Sequence, residues 1–293
     1  MLNPQFPLYI PSKTRWDTRH TAKYLDYIKV PYRLVIEPQQ YKQYLAEVKD
    51  PSKLLVMDMS YKEKYELCDN VGMDRSTGAG PARNFIWDHS ISEGHAWHWT
   101  MDDNIRSFRR LNRNKRVKVS TGSVFRAMED FCLRYSNIAM AGPNYYMFAP
   151  PRQIKPPVVF NTRIYSCNLI RNDVPFRWRG RYNEDTILSL DMLKAGWCTA
   201  QFNAFLQEKI NTGKVKGGNT LELYQDGTYL KSKMQVDVHP DVSKMTWRFG
   251  RIHHYVDYSK FKNQKLIRVG SCPESDNNEY GMTLRNIANG KKK

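Results

Sequence analysis

The chain has 293 residues, with 46 Lys plus Arg against 29 Asp plus Glu and a formal net charge of +17 at pH 7. With 41% apolar and 13% aromatic residues it can bury a large core, which excludes a disordered basic tail and leaves a folded protein suited to a polyanionic partner. No apolar run approaches the roughly 18–20 residues of a membrane-spanning helix. Length alone allows one domain with an extension or two domains. The five cysteines, Cys68, Cys132, Cys167, Cys198 and Cys272, lack zinc spacing and read as free thiols in a reducing cytoplasm. Residues 1–11 lack a basic leader region and read as the start of the fold, not as a signal peptide.

In chain order, residues 6–10 read as a strand and 18–28 as a helix that turns Ala22, Leu25 and Ile28 inward. A strand at 32–36, a helix opened by Pro38 and running through Leu45, and a strand at 54–57 ending at Asp58 follow. Gly78-Ala79-Gly80-Pro81-Ala82-Arg83-Asn84 is a turn leading into a helix with Ala82, Phe85, Ile86 and His89 on one face, closed by Ser92-Glu93-Gly94. Ala96-Trp97-His98-Trp99-Thr100-Met101-Asp102-Asp103-Asn104 then reads as a buried strand stopping at a negatively charged tip. Beyond it come a helix at 123–134, an extended segment at 137–141 and a long ordered loop through the proline-rich 143–157. A strand at 164–170, a helix at Glu184 and a strand at 197–202 complete the alternation. Met234-Gln235-Val236-Asp237-Val238 alternates like a strand ending at His239. Strands alternating with helices predict an α/β fold on a mostly parallel sheet. No repeat or low-complexity tract is seen except Lys291-Lys292-Lys293.

Carboxylates at the end of a buried strand need a cation or a solvated cleft, because burying them unpartnered is costly. The hard oxygens of Asp102 and Asp103 suit Mg2+ or Mn2+ on a diphosphate, although the same residues also make an ordinary Asp-Asp-Asn turn. Arg83, near a helix N-terminus, is a second device for handling an anion; the alternative is a surface arginine paired with an acid. Arg106, Arg109, Arg110, Arg113, Lys115, Arg116 and Lys118 put seven positive charges in thirteen residues without an acid. Such a run points to an anionic partner unless it is a solvated helical face. Arg171, Arg177, Trp178, Arg179 and Arg181 form a second basic set, and Lys209, Lys214 and Lys216, before Gly217-Gly218, a third. Arginines interleaved with aromatics suit phosphate contact combined with base stacking.

The Gly80-Pro81-Ala82-Arg83-Asn84 helix, one helix and one strand ahead of Asp102-Asp103-Asn104, resembles the nucleotide-sugar half of a GT-A glycosyltransferase. Gly180-Arg181-Tyr182-Asn183-Glu184-Asp185-Thr186-Ile187-Leu188-Ser189-Leu190 resembles the Glu-Asp acceptor-side motif of the same fold. The motifs occur in the family's order, and the Arg-Tyr-Asn-Glu-Asp-Thr wording in a strongly basic body is most similar to the phage TET-associated glycosyltransferases. Members of that family are expected to glycosylate 5-hydroxymethylpyrimidines in DNA. The resemblance implies a GT-A, Rossmann-like core over residues 1–210, with a nucleotide-sugar half to about 105 and an acceptor half at 106–210. Residues 211–293 would be a C-terminal extension completing or covering the active site.

It also implies roles. Ser12, Thr14 and Arg15, in the loop Pro11-Ser12-Lys13-Thr14-Arg15-Trp16, and Asp58 would meet the nucleoside of a UDP-sugar, although Ser12 or Thr14 can equally cap the following helix. Arg83 would face the diphosphate or a donor carboxylate. Asp102 and Asp103, with Asn104 where the family pattern usually has a carboxylate, would hold the nucleotide and Mn2+ or Mg2+. A downstream histidine, His239 in preference to His253-His254, would complete the metal shell. Asp185, supported by Glu184, would be the general base of an inverting transfer, against the plainer reading of acids favouring a helix start. Arg109, Arg110, Arg113 and Arg116, with Arg177, Trp178, Arg179 and Arg181, would contact DNA. The expectation is therefore a cytoplasmic, metal-dependent transfer of sugar to a hydroxymethylated pyrimidine, 5-hydroxymethylcytosine, in DNA, the cytoplasm being the host's if the chain is phage-encoded. Alternatives are a GT-A enzyme acting on a polysaccharide, lipid carrier or protein, and a non-catalytic DNA-binding protein on this scaffold. A nucleotidyltransferase would not call for the Glu184-Asp185 motif.

Overall fold

The computed structural model describes residues 3–72, 75–113, 115–150, 155–210, 227–248 and 250–270. The chain runs β1 (Leu8–Pro11), α1 (His20–Tyr27), β2 (Arg33–Ile36), α2 (Tyr41–Val48), β3 (Leu54–Val56), α3 (Ser60–Glu63), α4 (Gly80–Ser92) and β4 (Trp97–Met101). It continues with β5 (Ile105–Asn112), β6 (Lys115–Lys118), α5 (Ser123–Cys132), β7 (Ile138–Tyr145), β8 (Val158–Phe160), β9 (Cys167–Arg171), α6 (Glu184–Lys194) and β10 (Cys198–Lys209). Last come α7 (Tyr229–Val238) and the hairpin of β11 (Ser243–Arg248) and β12 (Arg251–Val256). Among the described residues β1–β10 form a ten-stranded sheet in the order β3-β2-β1-β4-β9-β7-β10-β5-β6, with β8 also on β10. Only β5, β8 and β9 run against the rest, so the sheet is mostly parallel in direction. This is the α/β architecture on a mostly parallel sheet that the alternation predicted, and the Rossmann-like core that the resemblance implied.

Parallel pairing of β1 with β4, Tyr9 opposite Thr100, sets the loop after β1 beside the tip after β4. All five residues of β4 are buried. Trp99 meets Phe125 of α5 edge-on at 5.4 Å, and its indole donates to Glu129 at 2.8 Å. Glu129 also accepts the backbone N–H groups of Gln5 and Phe6, so three donors satisfy a carboxylate whose pKa burial pushes up to about 7.

Four segments differ from the sequence expectation. The dense basic run is a β-hairpin, β5–β6, at the sheet edge, where Ile105, Ser107 and Phe108 are buried and Arg106 points out. β7 continues past Ala141 through Gly142 and Pro143 to Tyr145, so 143–145 is strand and not loop. Pro143 is tolerated because β9 pairs only Met140 and Ala141, leaving no ladder partner on that side for the missing N–H. β10 runs to Lys209, well beyond the expected end at 202. Residues 234–238 belong to helix α7: Leu230, Met234 and Val238, four apart, pack on Tyr182 and Ile187, and this period overrides the short alternation. α4 forms as expected but is buried more widely than its predicted face, enclosing Arg83, Trp87 and Ser90 together with Ile86. The third basic set beyond Lys209, Cys272 and the terminal lysines lie outside the described residues. No described helix is long and apolar enough to cross a membrane.

Candidate active site

Two motifs dock on each other before any functional side chain is placed. Gly78 has φ +79°, and a Cβ there would lie 2.8 Å from the Arg181 carbonyl; at Gly80 a Cβ would overlap the Tyr65 hydroxyl, which donates to Gly180 O at 2.9 Å. Only glycine lets this turn sit against the backbone of Gly180-Arg181. The N-termini of α4 and α6 are thereby brought side by side.

Arg83, whose side chain is 1% exposed, is the hub. It donates to Asp102 Oδ1 at 2.7 Å, to Asp185 Oδ1 at 2.8 Å and to Glu184 Oε1 at 3.2 Å, and its guanidinium stacks on Trp178 at 4.5 Å. Lys209, at the end of β10, pairs with the other oxygen of Asp102 and donates to Ser166 Oγ at 2.9 Å. Asp185 is further fixed by Asn168 Nδ2 at 3.1 Å and the Ser166 N–H at 3.2 Å. Burial raises the pKa of Asp185 and Glu184 above the ordinary carboxylate range, against the pull of Arg83. Burial also acts to raise Asp102, but Lys209 and Arg83 outweigh it and hold that carboxyl well below the usual value. Three carboxylates thus share two cations, Arg83 buried and Lys209 half-buried at the cleft wall.

Asp103 forms a separate pair beside this cluster. It accepts from Arg15 and, at 2.8 Å, from Ser12 Oγ; Tyr44 in turn donates to Ser12 at 2.7 Å. All these elements border one cleft of about 670 Å³, which Ser12, Arg15, Asp102, Asp103, Asn104, Glu184 and Asp185 reach. Cations Lys13, Arg163, Lys231 and Arg248 also line it, so it suits an anionic ligand. Sequence reasoning put Lys209 in a basic set facing an anionic partner and not beside Asp102, and gave no site role to Arg163, Tyr165 or Lys231. α7 and β12 bring Lys231, His253 and His254 to the cleft wall, and Asn183 anchors α7 by donating to Lys231 O at 2.8 Å.

Several expected residues are placed elsewhere. Asp58 is exposed and caps α3 through the Ser60 N–H at 2.9 Å; Thr14 is exposed, with its N–H on Gln40 at 3.0 Å. His239 is not at a strand end: it closes α7, where it lies 3.0 Å from Lys194 Nζ and 3.6 Å from Asp191. Among the expected DNA contacts, Trp178 and Arg181 are each 1% exposed and present no face to a nucleic acid. Arg181 binds Asp69 at 2.8 Å and the carbonyls of Arg75 and Ser76, fastening that loop beneath the glycine turn. Arg179 pairs with Asp191 and Glu66, and Arg177 with Asp88. Arg113 is exposed on the β5–β6 hairpin, while Arg109, Arg110 and Arg116 are half-buried there.

The expected metal ligands do not fit an ion as arranged. Asp102 gives one oxygen to Arg83 and the other to Lys209, Asp103 is taken by Arg15 and Ser12, and His239 is on another element. Among the described residues no group of three or more His, Cys, Asp or Glu is placed to hold one. Asn104 Oδ1 is buried without a hydrogen-bond partner, a single hard donor at the tip.

Comparison with known proteins gives one family match: the profile of the TET-Associated Glycosyltransferase family covers residues 6–218. A search of curated proteins finds no match.

Proposed function

Since the chain belongs to the TET-Associated Glycosyltransferase family, and is therefore a glycosyltransferase, we propose that it moves a sugar from a UDP-sugar to the hydroxymethyl group of a pyrimidine in DNA, 5-hydroxymethylcytosine being the acceptor. The observation that carries this reading is that Asp102, Glu184 and Asp185 line one cationic cleft and are fastened from behind by Arg83, which is buried and, against the expectation, does not itself face the cleft. Asp185 takes the proton of the acceptor hydroxyl as that oxygen bonds the anomeric carbon. The bond from this carbon to the β-phosphate oxygen breaks, and its electron pair leaves on UDP. Such a single displacement inverts the anomeric centre, which proton NMR of the product reads directly. Arg83 holds the base in register, and the lining cations meet the charge that grows on the departing diphosphate. Ser12, Arg15 and Asp103 form the wall proposed to receive the nucleoside. The β5–β6 hairpin offers Arg106, Arg110, Arg113, Lys115 and Lys118 to backbone phosphates.

The test offers UDP-sugars with DNA containing cytosine, 5-methylcytosine or 5-hydroxymethylcytosine, followed by mass spectrometry of the nucleosides. A sugar-sized gain confined to the hydroxymethyl base is expected. Donor hydrolysis without transfer to any DNA would move the acceptor elsewhere, and no use of any UDP-sugar would sink the donor assignment. Because the oxygens of Asp102 and Asp103 are already engaged, no step is assigned to Mn2+ or Mg2+. Turnover in EDTA is expected to stay within about threefold of its value without it. A collapse restored by Mn2+ would show that an ion displaces Lys209 from Asp102.

A further inference from the structure

The turn after β7 holds apolar side chains out to solvent beside the basic hairpin. Met147 and Phe148, in the 3-10 turn Tyr146–Phe148, are 57% and 43% exposed. Tyr146 next to them lies 4.9 Å from the guanidinium of Arg109 and 3.8 Å from that of Arg116, and Arg116 donates to its carbonyl at 3.1 Å. The turn is thus fastened to the hairpin that presents Arg113, Lys115 and Lys118. An exposed Met-Phe pair marks a contact surface, and the cations around it select a polyanion.

Phe148 also stands between two cavities. It lines the cleft and a second cavity of about 450 Å³, and the two share Arg163 and Tyr165. The second cavity adds the amides of Asn144 and Gln201, and the Arg163 guanidinium lies 4.8 Å from the Tyr165 ring. The Arg163 Nε is buried without an acceptor. Tyr165 precedes Ser166, whose N–H binds Asp185 at 3.2 Å, so this cavity opens next to the proposed base. The Tyr165 ring already stacks on Tyr145 at 5.5 Å, and the Asn144 and Gln201 amides donate to Asn203 and to the Arg163 carbonyl. What the cavity offers the edge of a lone pyrimidine is therefore the unsatisfied Arg163 donor beside the apolar Met147 and Phe148.

We infer that the target pyrimidine is turned out of the duplex into this second cavity, its hydroxymethyl group toward Asp185, while Met147 and Phe148 fill the space it leaves. The inference rests on the DNA-acceptor reading above. Insertion of apolar side chains matters only when the base must first be unstacked from a partner strand. The M147A/F148A variant is therefore expected to lose about tenfold in kcat/KM on duplex 5-hydroxymethylcytosine DNA. On the same strand unpaired, where both side chains still wall the base cavity but nothing has to be unstacked, the loss should be several-fold smaller than on the duplex. A mismatched base opposite the target should recover part of the loss. A fluorescent adenine analogue beside the target should brighten on binding the parent chain and not the variant, a readout independent of turnover. Equal losses on both strand forms, or none on either, together with no brightening by the parent chain, would overturn the inference. Failure of the DNA-acceptor reading looks different: the parent chain would transfer sugar to neither form and leave the analogue dark.

Discussion

Arg83→Ala is expected to abolish transfer and to cost about 3–5 kcal/mol of stability, a fall of roughly 10 °C in Tm. The magnitude follows from what is left behind. Asp102, Glu184 and Asp185 all hydrogen-bond this one buried guanidinium. Truncation leaves three carboxylates against Lys209 alone and removes the cation stacked on Trp178. The cost is that of uncompensated charge, so removing a charge should return some of it. R83A/D102N is expected to be more stable than R83A, with a coupling of about 1 kcal/mol or more. Arg83→Lys keeps the charge but not the fork that reaches three partners, so it should hold most of the Tm while losing at least about 100-fold in kcat. Calorimetry with single-turnover kinetics separates the two effects. A wild-type Tm in R83A would mean that the hub carries no stability, and wild-type turnover that it carries no chemistry.

The residues of this hub were legible because each sits where an element changes. Asp102 ends an unbroken buried strand, Arg83 follows a Gly-Pro turn, and Glu184-Asp185 open a helix. The place of Lys209 at a strand end beside Asp102 was hidden because the second half of its strand does not look apolar. Asn203 and Gln207 are buried there, Asn203 accepting from Asn144 at 2.7 Å and Gln207 donating to the carbonyls of Pro143 and Tyr165. Composition could not separate arginines that face DNA from those that bind acids far away in sequence. Arg181 and Asp69 are paired across 112 positions, and no local pattern announces that. His239 failed to reach the cleft for a period reason: five alternating residues read as a strand, while the apolar spacing of four over 230–238 specifies a helix. The hairpin of β11 and β12 that does reach it brings His253 and His254 from beyond the family-matched region.

Asp185→Asn is expected to lower kcat by about a thousandfold without loss of Tm, and to erase the acid limb of the pH–rate profile. The carboxylate lines the cleft with its side chain 14% exposed, and it is held by Arg83, Asn168 and the Ser166 N–H, so its direction is set before the acceptor arrives. Burial raises its pKa, which makes it a stronger base than a solvated aspartate and moves the acid limb above the ordinary value of about 4. The sign for stability runs the other way. A carboxyl whose folded pKa is raised contributes stability that is present below its unfolded pKa and lost as pH rises through the folded one. Acid loss of turnover at this residue is therefore loss of the base and not of the fold. Removing the charge also leaves Asp102 and Glu184 against Arg83 and Lys209, two against two, so the variant should melt no lower than the parent chain. A D185N enzyme that kept its acid limb and lost less than about tenfold in kcat would take the proton away from this residue and leave it a positioning role around Arg83.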